Sequence, residues 1–185
     1  MVTPPKGEDL SDTSHEAIRK PSKVRPLNLS NTHAKHISAM VAIPLCEVAV
    51  STVASFQKGG VSGRKFVDHI LDLEAKLVRY VVTNFPKSGV IALDQEAAFP
   101  SISRKYVMFI LKQMRVHRGV ICVLKALYRN CVAILCLGGR LYDSLLMDSG
   151  VKQGDPSSMV LFILAHDPIL QWIDRQLSPY GAHLF

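Results

Sequence analysis

The segment Ser149-Gly-Val-Lys-Gln-Gly-Asp-Pro-Ser-Ser-Met-Val-Leu-Phe162 constrains the fold of this chain more than any other stretch. A turn with two glycines carries one amide side chain, Gln153, and runs into an apolar helix. Glycine suits positions where the backbone must take positive φ or pass close to another group. Pro156 has a φ suited to a first helical turn, and the helix it opens extends to about Gln176. Such a loop brings its backbone close to a ligand and is held firmly from behind.

Upstream, the residues divide into alternating helical and extended patterns. Residues 1–18 are polar and rich in Pro, Asp, Ser and Glu, as expected of a mobile arm. Two prolines in Arg19-Lys-Pro-Ser-Lys-Val-Arg-Pro-Leu27 oppose helix and favour a strand or loop. Asn31 or Thr32 caps a helix to about Ile43, with a break expected near Pro44. Phe66, Ile70, Leu73, Leu77 and Tyr80 recur at helical spacing and predict an amphipathic helix over 65–82. Pro86 to Gly89 turns the chain into Val90-Ile-Ala-Leu-Asp94, a short apolar run that reads as a buried strand. Ser103 caps a helix to about Met114, and another follows to about Arg129. The runs 132–137 and 141–147 flank Gly138-Gly139, which predicts a tight hairpin.

A length of 185 residues fits one domain, or one and a part. Hydrophobic content of 48% and a mean hydropathy of +0.18 exclude global disorder. The net charge of +7 favours polyanionic partners such as nucleic acid. Cys46, Cys122, Cys131 and Cys136 form no Cys-x-x-Cys pair, so reduced thiols in an intracellular protein are expected. The N-terminus lacks the apolar core of a secretory signal. Residues 37–56 imitate a membrane span, but Pro44 and Glu47 in its middle favour a core helix, and no membrane partner is expected.

A carboxylate at the end of an apolar strand, Asp94, is well placed to hold a divalent metal with substrate phosphates; taken alone, it reads rather as an ordinary strand-end aspartate exposed to water. Its company changes that reading. The segment Arg19-Lys-Pro-Ser-Lys-Val-Arg-Pro-Leu-Asn-Leu-Ser-Asn31 looks like a fingers motif K-P-x-x-x-R-P-I-x-L-x-N. Gln57-Lys-Gly-Gly-Val-Ser-Gly-Arg64 with Asp68 looks like Q-x-G-F-x-x-G-R…D. Ala92-Leu-Asp-Gln-Glu-Ala-Ala-Phe-Pro-Ser101 is similar to L-D-x-x-x-A-F-D-S, and Gly150-Val-Lys-Gln-Gly-Asp-Pro-Ser-Ser158 to G-V-R-Q-G-D-P-L-S. In that order, the four motifs resemble reverse transcriptases of the non-long-terminal-repeat (LINE-like) retrotransposon type.

The resemblance implies an α+β fold: a partial right-hand polymerase with fingers, an incomplete palm and a small antiparallel sheet packed by helices. It divides the chain into the arm at 1–18, a fingers-like segment at 19–87 and an incomplete palm at 88–185. It implies an RNA-directed DNA polymerase that adds deoxynucleotides by two-metal phosphoryl transfer. Asp94 would be the catalytic, Mg²⁺-binding carboxylate. Lys20 and Arg25 would neutralise the triphosphate, unless they belong to a solvated basic loop. Phe99 would lie against the sugar, or else serve as a core aromatic, while Gln153 and Gly154 would line the nucleotide site. Arg64 would contact template phosphate or make a structural ion pair. The implied partners are an RNA template, a DNA primer, deoxynucleotide triphosphates and the remaining palm and thumb of a longer polyprotein.

Departures from the family pattern matter as well. Pro100 stands where Asp normally follows Phe99, and Gly60 replaces a large aromatic, removing apolar packing under the fingers loop. Ser157 and Met159 replace Leu and Pro around Ser158. Gly181-Ala-His-Leu-Phe185 resembles the strand leading into an aromatic-x-Asp-Asp hairpin, which the 185 residues do not contain. Asp148, Asp155, Asp167 and Asp174 are poor substitutes for its carboxylates, so an inactive truncated polymerase is expected. The alternatives are a non-catalytic nucleic-acid-binding remnant of a retroelement and a helical interaction module.

Overall fold

The computed structural model describes residues 29–82, 90–137 and 139–180. The arm, the basic stretch with Lys20 and Arg25, the turn at 86–89 and the segment 181–185 lie outside them. The described architecture is α+β, dominated by helices with one two-stranded antiparallel sheet.

Helix α1 spans Thr32–Thr52, and Asn31 caps it by accepting the Ala34 N–H at 2.8 Å. The expected break at Pro44 does not occur; the helix runs through it. Proline removes one helical N–H, leaving a carbonyl one turn back without its donor. Pro44 is exposed on the outer face, where water can satisfy that carbonyl, while Val41, Ala42, Leu45 and Ala49 are buried on the inner one. By length and composition α1 would suffice to cross a membrane, but this inner face is built into the core.

The other core helices are α4 (Arg104–Gln113), α5 (Arg118–Tyr128) and α6 (Ser158–Leu177). Ser103 caps α4, its Oγ accepting the Tyr106 N–H at 3.4 Å, and the His117 ring accepts the Gly119 N–H at 3.1 Å ahead of α5. Helix α6 packs on both α1 and α4, and α5 on both α1 and α4. The fully enclosed side chains come from the faces that meet there: Leu45, Leu111, Leu124, Leu161 and Leu164. Each such leucine stabilises the fold by about 1.5–3 kcal/mol through burial. Pro156 lies two residues ahead of α6, in the loop, and not in the first helical turn.

Helix α2 (Phe66–Val82) forms as the periodicity predicts. It is tethered to the loop before it, with the His69 ring 2.8 Å from the Phe56 carbonyl and Lys58 3.5 Å from Asp72. Its apolar side chains Phe66, Ile70 and Leu77 nevertheless remain exposed among the described residues.

Strands β1 (Val132–Leu137) and β2 (Arg140–Leu146) make the expected hairpin, with Leu137 paired to Arg140 across a two-residue turn. The register shifts between Ile134, opposite Ser144, and Leu135, opposite Tyr142, leaving Asp143 as the extra residue of a bulge. The buried strand expected at 90–94 is not there. Those residues have no regular secondary structure and form no ladder, and Ile91 and Leu93 are 85% and 92% exposed. A strand requires backbone partners. Among the described residues β1 and β2 pair only with each other and neither takes up this run.

Candidate functional site

The loop ahead of α6 docks onto the segment that follows Asp94. A short helix, α3 (Ala98–Ser101), begins after Ala97, whose φ of 52° is in the left-handed region. This turn aims two carbonyls at the loop: Gly150 N–H donates to Ile102 O at 3.1 Å, and Val151 N–H to Phe99 O at 2.9 Å. Gly150 has φ +73°, and a Cβ there would sit 2.6 Å from Pro100 Cα and 2.8 Å from Phe99 O. Only glycine permits that approach.

Arg104 locks the junction. Its guanidinium donates to Gly150 O at 2.8 Å, Ser149 O at 3.1 Å and Tyr128 O at 3.3 Å, and it lies over the Tyr128 ring at 5.1 Å. Lys152 reaches the same ring at 5.2 Å and donates to Leu127 O at 2.9 Å. Burial pushes the Tyr128 hydroxyl above its ordinary pKa, and that hydroxyl is paired with Ser158 Oγ at 3.2 Å.

Beyond Lys152 the backbone turns sharply. Asp155 N–H donates to Lys152 O at 3.2 Å, with Gly154 at φ +93° in the third position, as a type II turn requires. Gln153 therefore sits at the tip, half-buried, and its amide has no hydrogen-bond partner among the described residues. Asp155 anchors the turn from behind: its carboxylate accepts from Ser38 Oγ of α1 and from the Ser157 hydroxyl at 2.8 Å and amide at 3.1 Å. Ser38 and Ser157 are both fully enclosed.

Phe99 packs against Phe162 with ring centroids 5.1 Å apart, and Phe162 stacks on His166, also at 5.1 Å. Burial lowers the His166 pKa, a tendency the neighbouring Asp167 opposes. Phe99 is thus half-buried, at once a packing residue and part of the wall beside the loop.

The second glycine loop, 57–64, is braced to the same helix. Asp167, 1% exposed, accepts the Ala54 N–H at 2.9 Å and the Gln171 amide at 2.6 Å. Arg64 donates to the carbonyls of Ala54, of Gln57 at 2.7 Å and of Val53 at 2.8 Å. Its partners among the described residues are backbone carbonyls, not the acidic side chain of a structural ion pair. Gly60 leaves no gap where the family carries an aromatic. A Cβ there would lie 2.7 Å from Ile163 Cδ1 and 2.9 Å from Met159 Cγ, so α6 side chains fill that space. Two of the departures, Gly60 and Met159, are therefore neighbours.

The structure brings Phe99, Gly150, Gln153 and Gly154 onto one loop-and-turn unit. Asp94 precedes that unit on an exposed segment without regular secondary structure, connected to it by Gln95, whose amide reaches Ser101 Oγ at 3.4 Å. Lys20 and Arg25 lie outside the described residues. Among those described, no group of three His, Cys, Asp or Glu side chains is placed to hold a metal. One exposed carboxylate does not match two Mg²⁺ ions, and Asp155 and Asp167 are engaged in hydrogen bonds elsewhere. The sequence reading missed Arg104, Ser38 and Tyr128, which hold the loop in place. Only their three-dimensional placement reveals them.

The family model for reverse transcriptase (RNA-dependent DNA polymerase) matches residues 18–184. This chain belongs to the reverse transcriptase family. It is 25% identical over 154 residues, 83% of the chain, to the transposon TX1 uncharacterized 149 kDa protein of Xenopus laevis. Over 82 residues, 44% of the chain, it is 27% identical to the retrovirus-related Pol polyprotein from type-1 retrotransposable element R2 of Popillia japonica. The matches span only 12% and 14% of those two proteins. With both relatives drawn from transposable elements, this reverse transcriptase domain is of the LINE-like type. The stitched unit of Phe99–Ile102 and Gly150–Val151 joins two of the motifs by which the family was recognised in the sequence.

Proposed function

We propose that this reverse transcriptase chain forms the fingers-like part (19–87) and part of the palm (88–185) of an RNA-directed DNA polymerase. In this reading the unit around Gly150 is the wall against which the incoming deoxynucleotide sits. The observation that carries it is the pair of backbone hydrogen bonds joining Gly150 and Val151 to Ile102 and Phe99. They fix a half-buried ring and an unpartnered amide on one rigid support, which is what orienting a small substrate demands. Gln153 donates or accepts at the nucleotide, Gly154 lets the backbone approach, and Phe99 bears on the sugar. Asp94, the aspartate of the palm motif, contributes to Mg²⁺ binding. Lys20 and Arg25 neutralise the triphosphate in this reading, and RNA template and DNA primer are the polymeric substrates. Arg64 serves as a clamp on the end of α1, which shapes the loop from 57 to 64.

Among the described residues too few carboxylates converge for a two-metal centre, so in this reading they do not complete the catalytic step by themselves. Primer extension on an RNA template with Mg²⁺ is expected to give no Asp94-dependent product. Robust synthesis that Asp94→Asn abolishes would overturn the inactivity of the isolated chain. A non-catalytic nucleic-acid-binding role gains support from one specific observation, the uneven distribution of charge along the chain.

A further inference from the structure

Eight of the 22 Lys and Arg residues, and none of the 15 Asp and Glu, lie between Glu96 and Asp143. The rest of the chain holds 14 cations against 15 anions, a net charge of −1, so this one segment accounts for the whole of the +7. It contains α4 and α5, and between those helices runs a groove of about 390 Å³. Arg104, Lys105, Phe109 and Lys112 line it from α4, Lys125 and Tyr128 from α5. Lys105, Phe109 and Lys112 stand four and three residues apart, which puts them on one helix face.

The three lysines are exposed and have no ion-pair partner among the described residues. Phe109 is 53% exposed between two of them. Arg104 and Tyr128 form a fixed floor, held by the carbonyl and Ser158 bonds described above. A concave site with unneutralised cations on both walls attracts anions strongly. An aromatic ring among those cations adds a flat apolar face, the combination that suits a strand with a charged backbone and planar bases. A groove this small does not admit a duplex, and its concavity does not match a lipid surface.

We propose that the α4–α5 groove is a docking track for single-stranded RNA, with Lys105, Lys112 and Lys125 on backbone phosphates and Phe109 stacked on a base. The choice of RNA over DNA rests on the reverse-transcriptase reading. The track uses none of Lys20, Arg25, Asp94, Phe99, Gln153 or Gly154.

The test is fluorescence anisotropy of the 185-residue chain with a labelled, unstructured RNA of about 12 nucleotides, within the range of single-strand sites. Replacing the lysines together (Lys105→Gln, Lys112→Gln, Lys125→Gln) should lower the slope of log affinity against log salt by about 2, at roughly 0.7 per phosphate contact. Phe109→Ala should weaken binding roughly 5- to 100-fold. All four side chains are exposed, so circular dichroism should be unchanged. The proposal is overturned if the lysine variant keeps the wild-type salt slope, or if Phe109→Ala binds RNA as tightly as wild type. Tighter binding to duplex RNA, to anionic vesicles or to DNA of the same sequence would equally overturn it. The assay contains neither nucleotide nor Mg²⁺. Its failure therefore leaves the polymerase reading standing, and its success does not depend on any polymerase activity.

Discussion

Gly150→Ala is expected to disrupt the candidate site more than any other single methyl group added to the chain. Two costs combine. The residue has φ +73°, a conformation that costs a side-chain-bearing residue about 1–3 kcal/mol. The new Cβ would also stand 2.6–2.8 Å from backbone atoms of Pro100 and Phe99, which cannot swing aside as a flexible side chain would. Overpacking of this kind costs a further 1–3 kcal/mol or so. The chain relieves the clash by separating the loop from the Phe99 segment, breaking the bonds at 2.9 and 3.1 Å. Thermal unfolding should show a midpoint lowered by roughly 6–12 °C for a loss of about 3 kcal/mol. A midpoint within about 2 °C of wild type, a change below about 1 kcal/mol, would show that the close docking of this loop does not exist in solution.

Asp167→Ala should be nearly as costly, for a different reason. The carboxyl group is 1% exposed and satisfies the Ala54 N–H at the end of α1 together with the Gln171 amide. Its removal leaves two partly buried donors without their acceptor, at about 1–3 kcal/mol for each unmade bond, and leaves a small cavity. A loss of about 3 kcal/mol is expected. Asp167→Asn keeps an oxygen for Ala54 and should lose roughly 1 kcal/mol, most of the benefit of the native bond being retained. Chemical denaturation with a shared slope measures both. Equal losses for the two variants would contradict the acceptor role assigned to this side chain. Because Arg64 holds the Ala54 and Val53 carbonyls, loosening Asp167 should also free the loop at 57–64.

Much of this was legible in the residues, and the reasons are local. Asn31 and Ser103 are capping residues in front of apolar periodicity, and each caps where expected. Two glycines between alternating runs produced the hairpin. The family was legible because its motifs pair glycines with particular polar residues at fixed spacing. Tertiary context decided the rest. Pro44 looked like a helix end, yet its place on the exposed face of a well-packed helix made the missing bond tolerable. The run at 90–94 has strand composition, but composition cannot supply a neighbouring ladder. Arg104 carries no signal in its own neighbourhood, since its partners are carbonyls 24 to 46 residues away. The pairing of Gly60 with Met159 was likewise hidden, because two departures from a family pattern reveal their connection only when packed together.

The central claim is that the turn at 152–155 and the Phe99 segment together face an incoming nucleotide. Its most direct test is photocrosslinking of a reactive deoxynucleoside triphosphate to the chain in Mg²⁺, followed by peptide mapping. Adducts are expected in the loop containing Gln153 and in the segment containing Phe99, and Gln153→Ala should deplete them while leaving circular dichroism unchanged. Adducts confined to other parts of the chain, or unaffected by Gln153→Ala, would contradict the claim.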